Sequence, residues 1–428
     1  MLKNILGTIA TRIISAVLTF LVVIFNARYL GAENYGTISL IILAVTIIQL
    51  FTNFVGGATL IYMAPRVAVF KLFIPAYLWS FVISSLSALV LWFLGNGIKA
   101  MEVIPEGYLF QVLILAYLFS FTSVNYMLLL GQEKVQTFNL LNLIQVITQF
   151  LFLIFFLFFL NQRDVMAFVW AVVISYVLVF SFSLLKLFPS LTVVPLTGMK
   201  QLLRDIFRYG TFVQFANIFQ QLNYRLSYYI IDFFIGRAAL GVFTVGVQLS
   251  EGLWLIGRSI AMVQLTRISN EKDDRYSIRL TLTLAKATWI ITLLCMIVLI
   301  MIPDIAFQWV FGKEFNEIRP VIIALGIGII TLSASMIFST FFSGMNKPYH
   351  NTISSAIGLV FTFSLGLLLI PSFGIIGAGI TATVSYTAAT LYLFIMFCRQ
   401  TKLQARDFLL KREDIRLVVK ELKKIIPL

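Results

Sequence analysis

The stretch TFVQFANIFQQLNYRLSYYIIDFFI, residues 211–235, decides how the rest of the chain is read. Phe212, Phe215, Phe219, Leu222, Leu226, Ile230 and Phe234 supply enough hydrocarbon to cross a bilayer core of about 30 Å. Gln214, Asn217, Gln221, Arg225, Tyr228 and Asp232 recur at steps of three and four residues, so they share one face of a helix. An arginine at mid-membrane costs roughly 2.5–3.5 kcal/mol on insertion scales unless water, a partner or a ligand receives it. The stripe is therefore expected to line a wet cavity rather than face lipid, and the remaining chain to build that cavity.

The composition agrees with a polytopic membrane protein. Of 428 residues, 60% are apolar and 12% charged, a balance that soluble domains do not have. Twelve segments can be marked off as long and apolar enough to span, starting near 5–27 and ending near 375–398. They leave little chain for extramembrane domains. The net charge of +14 would suit nucleic acid, but its distribution points to topology and no nucleic-acid partner is expected. Lys3, Arg66, Lys71, Lys134, Lys186, Lys200, Arg204, Arg208, Arg267, Lys272, Lys347 and the basic tail fall on one side. Arg28, Lys99, Arg163, Arg237, Lys313 and Arg319 fall on the other. By the positive-inside rule the first set, with both termini, is cytoplasmic. The first apolar segment, interrupted by Arg12 and lacking a small-residue cleavage site, reads as a retained helix and not a signal peptide. Cys295 and Cys398 lie in or beside spans and offer no disulfide framework.

The chain repeats itself. After the first span comes Tyr29-Leu30-Gly31, then Tyr35-Gly36; after the seventh comes Phe234-Ile235-Gly236, then Leu240-Gly241, 205 positions later. Gly131 and Lys134 are echoed by Gly344 and Lys347, and Ser175-Tyr176 by Ser385-Tyr386. Gly31 is read as a left-handed stop to the first helix. The matches fall at equivalent places in two sets of six spans. This predicts an all-α fold of twelve transmembrane helices in two pseudo-symmetric six-helix bundles around a central cavity, with substrate bound between the repeats. The divisions are residues 1–188 and 210–398 for the bundles and 189–209 for an amphipathic linker helix on the cytoplasmic interface. Residues 399–428 form a basic tail suited to anionic lipid or to the protein's own loops.

No phosphate-binding loop, metal-ligand cluster or nucleophile elbow is present, and no cofactor or metal is expected. The lone His350 reads as an ordinary exposed histidine, because metal sites need clustered ligands. Charged residues inside spans are Arg12, Arg225, Asp232, Glu251, Arg258 and Lys286. Lys286 lies close enough to a span end to snorkel. Arg225 and Asp232 are seven apart on one helix, as are Glu251 and Arg258 on the next. The bland reading makes these pairs internal bridges that pin helices. The functional one starts from four cations against two anions: a cationic, hydrated chamber suits an anionic head group, bidentate arginines suit phosphate, and amides and hydroxyls suit sugars.

The outer end of span 1 (Arg28 to Gly31, Tyr35-Gly36), the run Gly374-Ile375-Ile376-Gly377-Ala378-Gly379 and the twelve-span length together resemble the polysaccharide flippases. These are the O-antigen and capsular repeat-unit translocases of the multidrug/oligosaccharidyl-lipid/polysaccharide exporter superfamily. The resemblance implies alternating access between two bundles in the bacterial inner membrane. It implies an undecaprenyl-diphosphate-linked oligosaccharide as substrate, and the polymerase and glycosyltransferases of the same pathway as further partners. It also implies cavity arginines that meet the diphosphate, a role that Arg12, Arg225 and Arg258 fit. Gln214, Asn217, Gln221 and Tyr228 complete the expected substrate contacts, with Asp232 and Glu251 as arginine partners or coupling-ion ligands. A cation-coupled drug exporter of the same superfamily is the nearest alternative, disfavoured because span 1 carries Arg12 and no carboxylate. A membrane polymerase or ligase is disfavoured by the short outer loops, and a lipid scaffold without transport by the costly buried charges.

Overall fold

The computed structural model describes residues 2–97, 103–195, 197–270, 273–345 and 347–408. The described chain is built of helices: α1 (Leu2–Gly56), α2 (Ala58–Met63), α3 (Val69–Gly97), α4 (Leu109–Gly131), α5 (Val135–Ile154), α6 (Val165–Leu187), α7 (Met199–Phe234), α8 (Arg237–Glu251), α9 (Trp254–Asn270), α10 (Asp274–Met301), α11 (Asp304–Phe311), α12 (Ile318–Gly344) and α13 (Tyr349–Thr401). Eight helical segments among the described residues are long and apolar enough to cross a membrane. Two of these each hold two passages: α1 turns at Gly31 (φ 82°, ψ 171°) and α13 at Gly374 (φ 61°, ψ −142°). The bent pair α8–α9 makes one more passage. With α7, too polar to qualify by hydropathy alone, the passages number twelve. The protein is an all-α polytopic membrane protein.

Helix ends follow local chemistry. Asp164 caps α6 by accepting from the Ala167 amide at 3.2 Å, and Asp273 caps α10 through Arg275 at 2.9 Å. At Gly31 the φ is positive, as the sequence leads one to expect, but ψ is extended. The residue is a corner between helices and not a left-handed cap. The amide of Ala32, exposed by that corner, donates to Glu314 Oε2 at 2.7 Å.

The described residues divide into two compact units. The first comprises 1–218 with Gly236–Gly241 and Val310–Glu314. One of its cores gathers Ile41, Ile48, Leu115, Ala167 and Val169; another gathers Leu60, Leu72, Leu128 and Ile206. Inside this unit the repeated corners meet. A Cβ on Gly36 would sit 1.9 Å from the Arg237 carbonyl oxygen, and a Cβ on Gly241 would sit 2.0 Å from that of Ala32. Each contact is the other displaced by 205 positions, so two equivalent corners pack backbone on backbone about a local two-fold axis. Gly210 makes a third close approach, since a Cβ there would lie 2.1 Å from the Phe54 carbonyl oxygen. The residues read from sequence as the end of a linker helix and the start of the seventh span are continuous in α7, with Gly210 inside it.

The second unit comprises Phe219–Ile235, Val242–Trp309 and 315–428. Its centre is α12, where Val321, Leu325, Ile329, Ile337 and Phe341 are buried. Asn223 on α7 ties that helix to both passages of α13, its Oδ1 accepting from Thr362 and Ser385 hydroxyls, each at 2.6 Å. His350 differs from its sequence reading. It is 5% exposed, with the Tyr392 hydroxyl 3.0 Å from Nδ1 and the Gln400 amide 2.9 Å from Nε2. Neighbouring helix ends close over a residue that the loop-like sequence around it suggested was solvated. Cys295 and Cys398 are free thiols.

Candidate functional site

The polar stripe of α7 resolves into two environments. Gln214, 3% exposed, donates to the Leu50 carbonyl at 2.8 Å, and the exposed Asn217 donates to Gln214 Oε1 at 3.2 Å. Both belong to the first unit and tie α7 to a carbonyl of α1. Gln221 is half-buried on the part of α7 in the second unit. One turn further, Arg225 Nη1 and Nη2 donate to Glu251 Oε1 and Oε2 at 3.0 and 2.9 Å. Nη1 also donates to the Tyr228 hydroxyl at 2.9 Å, and the guanidinium carbon stands 5.2 Å from that ring's centre. Phe243 of α8 packs edge-on against Tyr228 at 5.7 Å.

The bridge runs between helices, not within them as the sequence spacing suggested. Residues seven apart on one helix are about 10.5 Å apart along its axis, too far for direct contact without fully stretched side chains. The facing helix offers Glu251 much nearer. Asp232 is half-buried on α7, and Arg258 is exposed on α9. The Arg12 side chain lies outside the described residues.

Glu251 is the last residue of α8. After it Gly252 and Leu253 interrupt the helix, and α9 departs at 40°. The ion pair thus sits at a broken passage, the arrangement in which transporters expose backbone and charge to substrate inside a membrane. Arg225 and Glu251 side chains are 28% and 14% exposed. They are largely desolvated yet reachable. Beside them Tyr224, Trp254 and Tyr386 form an aromatic group, with ring centres 5.1, 5.6 and 6.3 Å apart. The Trp254 indole nitrogen is buried without a hydrogen-bond partner. Gln220 donates to the Tyr224 hydroxyl at 3.1 Å. Sequence reading missed these rings. Tyr224 lies one residue off the polar stripe, and the only signal for Tyr386 is its place in the Ser-Tyr repeat.

Among the described residues no group of three His, Cys, Asp or Glu side chains could hold a metal ion. The chemistry available is recognition: a two-pronged cation, a carboxylate that occupies it, and aromatic faces close by.

Residues 25–320 match a family of polysaccharide biosynthesis proteins. This chain belongs to that family. The likeness first drawn from Gly31, Gly36 and the Gly374–Gly379 run is borne out. Among the curated relatives of this polysaccharide biosynthesis protein is "Capsular polysaccharide biosynthesis protein CapF" of Staphylococcus aureus, 24% identical over 200 residues, which are 46% of this chain and 50% of that one. Another is "Probable low-salt glycan biosynthesis flippase Agl15" of Haloferax volcanii, 24% identical over 191 residues, 44% of this chain and 40% of that one. The alignments therefore span half or less of those relatives. Among solved structures, the inward closed conformation of the lipid II flippase MurJ superposes with a TM-score of 0.75 at 15% identity, covering 96% of this chain and 89% of that one. That likeness establishes the fold.

Proposed function

We propose that the protein flips a lipid-linked oligosaccharide across the bacterial inner membrane by alternating access, with both termini in the cytoplasm. The substrate is an undecaprenyl-diphosphate-linked repeat unit bound for O-antigen or capsular polysaccharide, and no catalytic chemistry is required. The carrying observation is the Arg225 fork held by both oxygens of Glu251 at the α8–α9 break. A guanidinium grips carboxylate and phosphate in the same planar, bidentate way, so Glu251 occupies the seat of a phosphate. In the empty protein the carboxylate spares the arginine an uncompensated charge in the membrane. When the diphosphate arrives it takes the fork, and Arg258 adds charge to the same head group. The aromatic group beside the pair suits the apolar faces of sugar rings. The isoprenoid tail stays in the bilayer while the head crosses. The family membership and the flippase fold support this reading.

Removing Arg225 alone would strand Glu251, so the test replaces both: Arg225→Gln with Glu251→Gln leaves two neutral amides able to bond each other. The expected outcome is normal protein level in the membrane with surface glycan lost and lipid-linked sugar accumulating on the inner leaflet. Glu251→Gln alone keeps the cation and should retain part of the flux. Full surface glycan from the double variant would overturn the assignment. The drug-exporter reading is separated by uptake of labelled organic cations into cells with and without the protein.

A further inference from the structure

Lys286 and His350 both read from the sequence as reaching solvent, and both are buried, 6% and 5% exposed. Lys286 lies well inside α10 and does not snorkel. His350 is the more informative of the two, because the hydrogen bonds around it fix where its proton must be.

The first turn of α13 and its last turns meet at this imidazole. The Tyr392 hydroxyl faces Nδ1 and the Gln400 side-chain nitrogen faces Nε2. Lys347, in the turn before α13, donates to Gln400 Oε1 at 3.0 Å. An ammonium has no lone pair, so the oxygen of Gln400 must face Lys347 and its NH2 must face the imidazole. Nε2 can then only accept, and the ring's single proton is on Nδ1, donated to Tyr392. Phe342 of α12 and Tyr349 pack against the imidazole, with ring centres 4.4 and 4.2 Å away. The titratable groups facing it are Lys347, Tyr349 and Tyr392.

A second proton has no place in this arrangement. On Nε2 it would point at the NH2 of Gln400, and turning that amide over would point the NH2 at Lys347 instead. Donor meets donor either way. Beyond Gln400 the chain turns at Lys402 (φ 58°) and enters a short helical turn, Ala405–Phe408. There the Phe408 ring packs on Phe338, Phe394 and Phe397 at 6.2, 4.8 and 6.2 Å. What holds Gln400 therefore holds the segment that carries Phe408.

We propose that Lys347, His350 and Gln400 form a proton-sensitive latch, in which neutral His350 clasps the C-terminal end of α13 to the α12–α13 turn and its protonation releases that end. The latch does not rest on the roles given to Arg225 and Glu251. Its closed form holds the unprotonated ring and its open form takes up a proton, so acid favours opening. It is closed above the ordinary imidazole pKa of about 6.5 and opens as pH falls below it. Between about pH 7.5 and 5.5 the unprotonated fraction of a free imidazole drops about tenfold, and the closing equilibrium drops with it.

Hydrogen exchange of the full chain in detergent, read by mass spectrometry over residues 392–408 and corrected for the intrinsic effect of pH, measures this opening. The wild-type segment should open about tenfold more at the lower pH, with α6 unchanged. Lys347→Met frees the Gln400 amide to turn so that its oxygen accepts from a protonated ring, and the pH response should largely vanish. Gln400→Glu offers one oxygen to Lys347 and the other to the imidazolium, so the response should reverse, with opening falling as pH falls. Gln400 is exposed and Lys347 partly so, and neither substitution cuts into the core. Equal opening of the wild-type segment at both pH values overturns the proposal. So does a Gln400→Glu protein that keeps the wild-type direction, or a full response in Lys347→Met.

Discussion

Replacing Gly36 or Gly241 by alanine drives a methyl group into a carbonyl oxygen of the opposite corner. The new Cβ would stand 1.9 Å from Arg237 O in the first case and 2.0 Å from Ala32 O in the second, whereas ordinary contact begins at 3.4 Å. Neither obstacle is a flexible side chain. The two backbones must therefore part by more than an ångström, and the overpacking cost is about 1–3 kcal/mol for each variant. The two substitutions are not independent. One separation relieves both clashes, because the contacts are related by the local two-fold axis. The Gly36→Ala/Gly241→Ala double variant should thus cost clearly less than the sum of the singles. Gly97→Ala is the control, since a Cβ there meets nothing within 4 Å and alanine is the better helix former. Unfolding free energies measured in mixed micelles with increasing sodium dodecyl sulfate give all four values. Additive costs, or a Gly36→Ala protein as stable as Gly97→Ala, would refute the reciprocal contact.

Other outcomes follow from the same geometry. Arg225→Met should destabilise by about 3 kcal/mol, the low end for a stranded partner given the pair's partial exposure. Adding Glu251→Leu should recover much of the loss, as a double-mutant cycle would show. Gly358→Ala places a Cβ 2.3 Å from Asn223 Nδ2. It should cost about 2 kcal/mol or more in thermal unfolding by dislodging the acceptor of Thr362 and Ser385. Glu314→Ala removes the carboxylate that accepts from the Ala32 amide and should cost about 0.5–2 kcal/mol; Glu314→Gln should cost less.

Much of the architecture was legible because the bilayer imposes its own pattern. Apolar length marks passages, and the glycines at positions 31 and 236 mark corners, both with positive φ in the structure (82° and 110°). Periodicity also found the face of α7 on which Arg225 and Tyr228 lie. It could not name the partner across the gap. A helical period places residues on a face, whereas pairing depends on the register of two helices packed side by side, which is set by many contacts at once. Glu251 was therefore visible as a buried charge but not as the counterion of Arg225. Asn223 was passed over for a related reason: it falls off the polar stripe, and its worth comes from hydroxyls 139 and 162 residues away. Gly210 shows the opposite error. A glycine that sequence reading takes as a boundary lies inside a continuous helix, placed there to let the Phe54 carbonyl approach.

The polarity of α7 bears on how the chain is made. During synthesis Arg225 enters the membrane 26 residues ahead of Glu251. At ribosomal speeds this is a delay of about one to five seconds. Over that interval the translocation channel must shelter a guanidinium whose counterion has yet to enter the membrane. α7 cannot settle as a solitary insertion unit; it becomes a stable resident of the bilayer when α8 follows and the hairpin is released laterally as a pair.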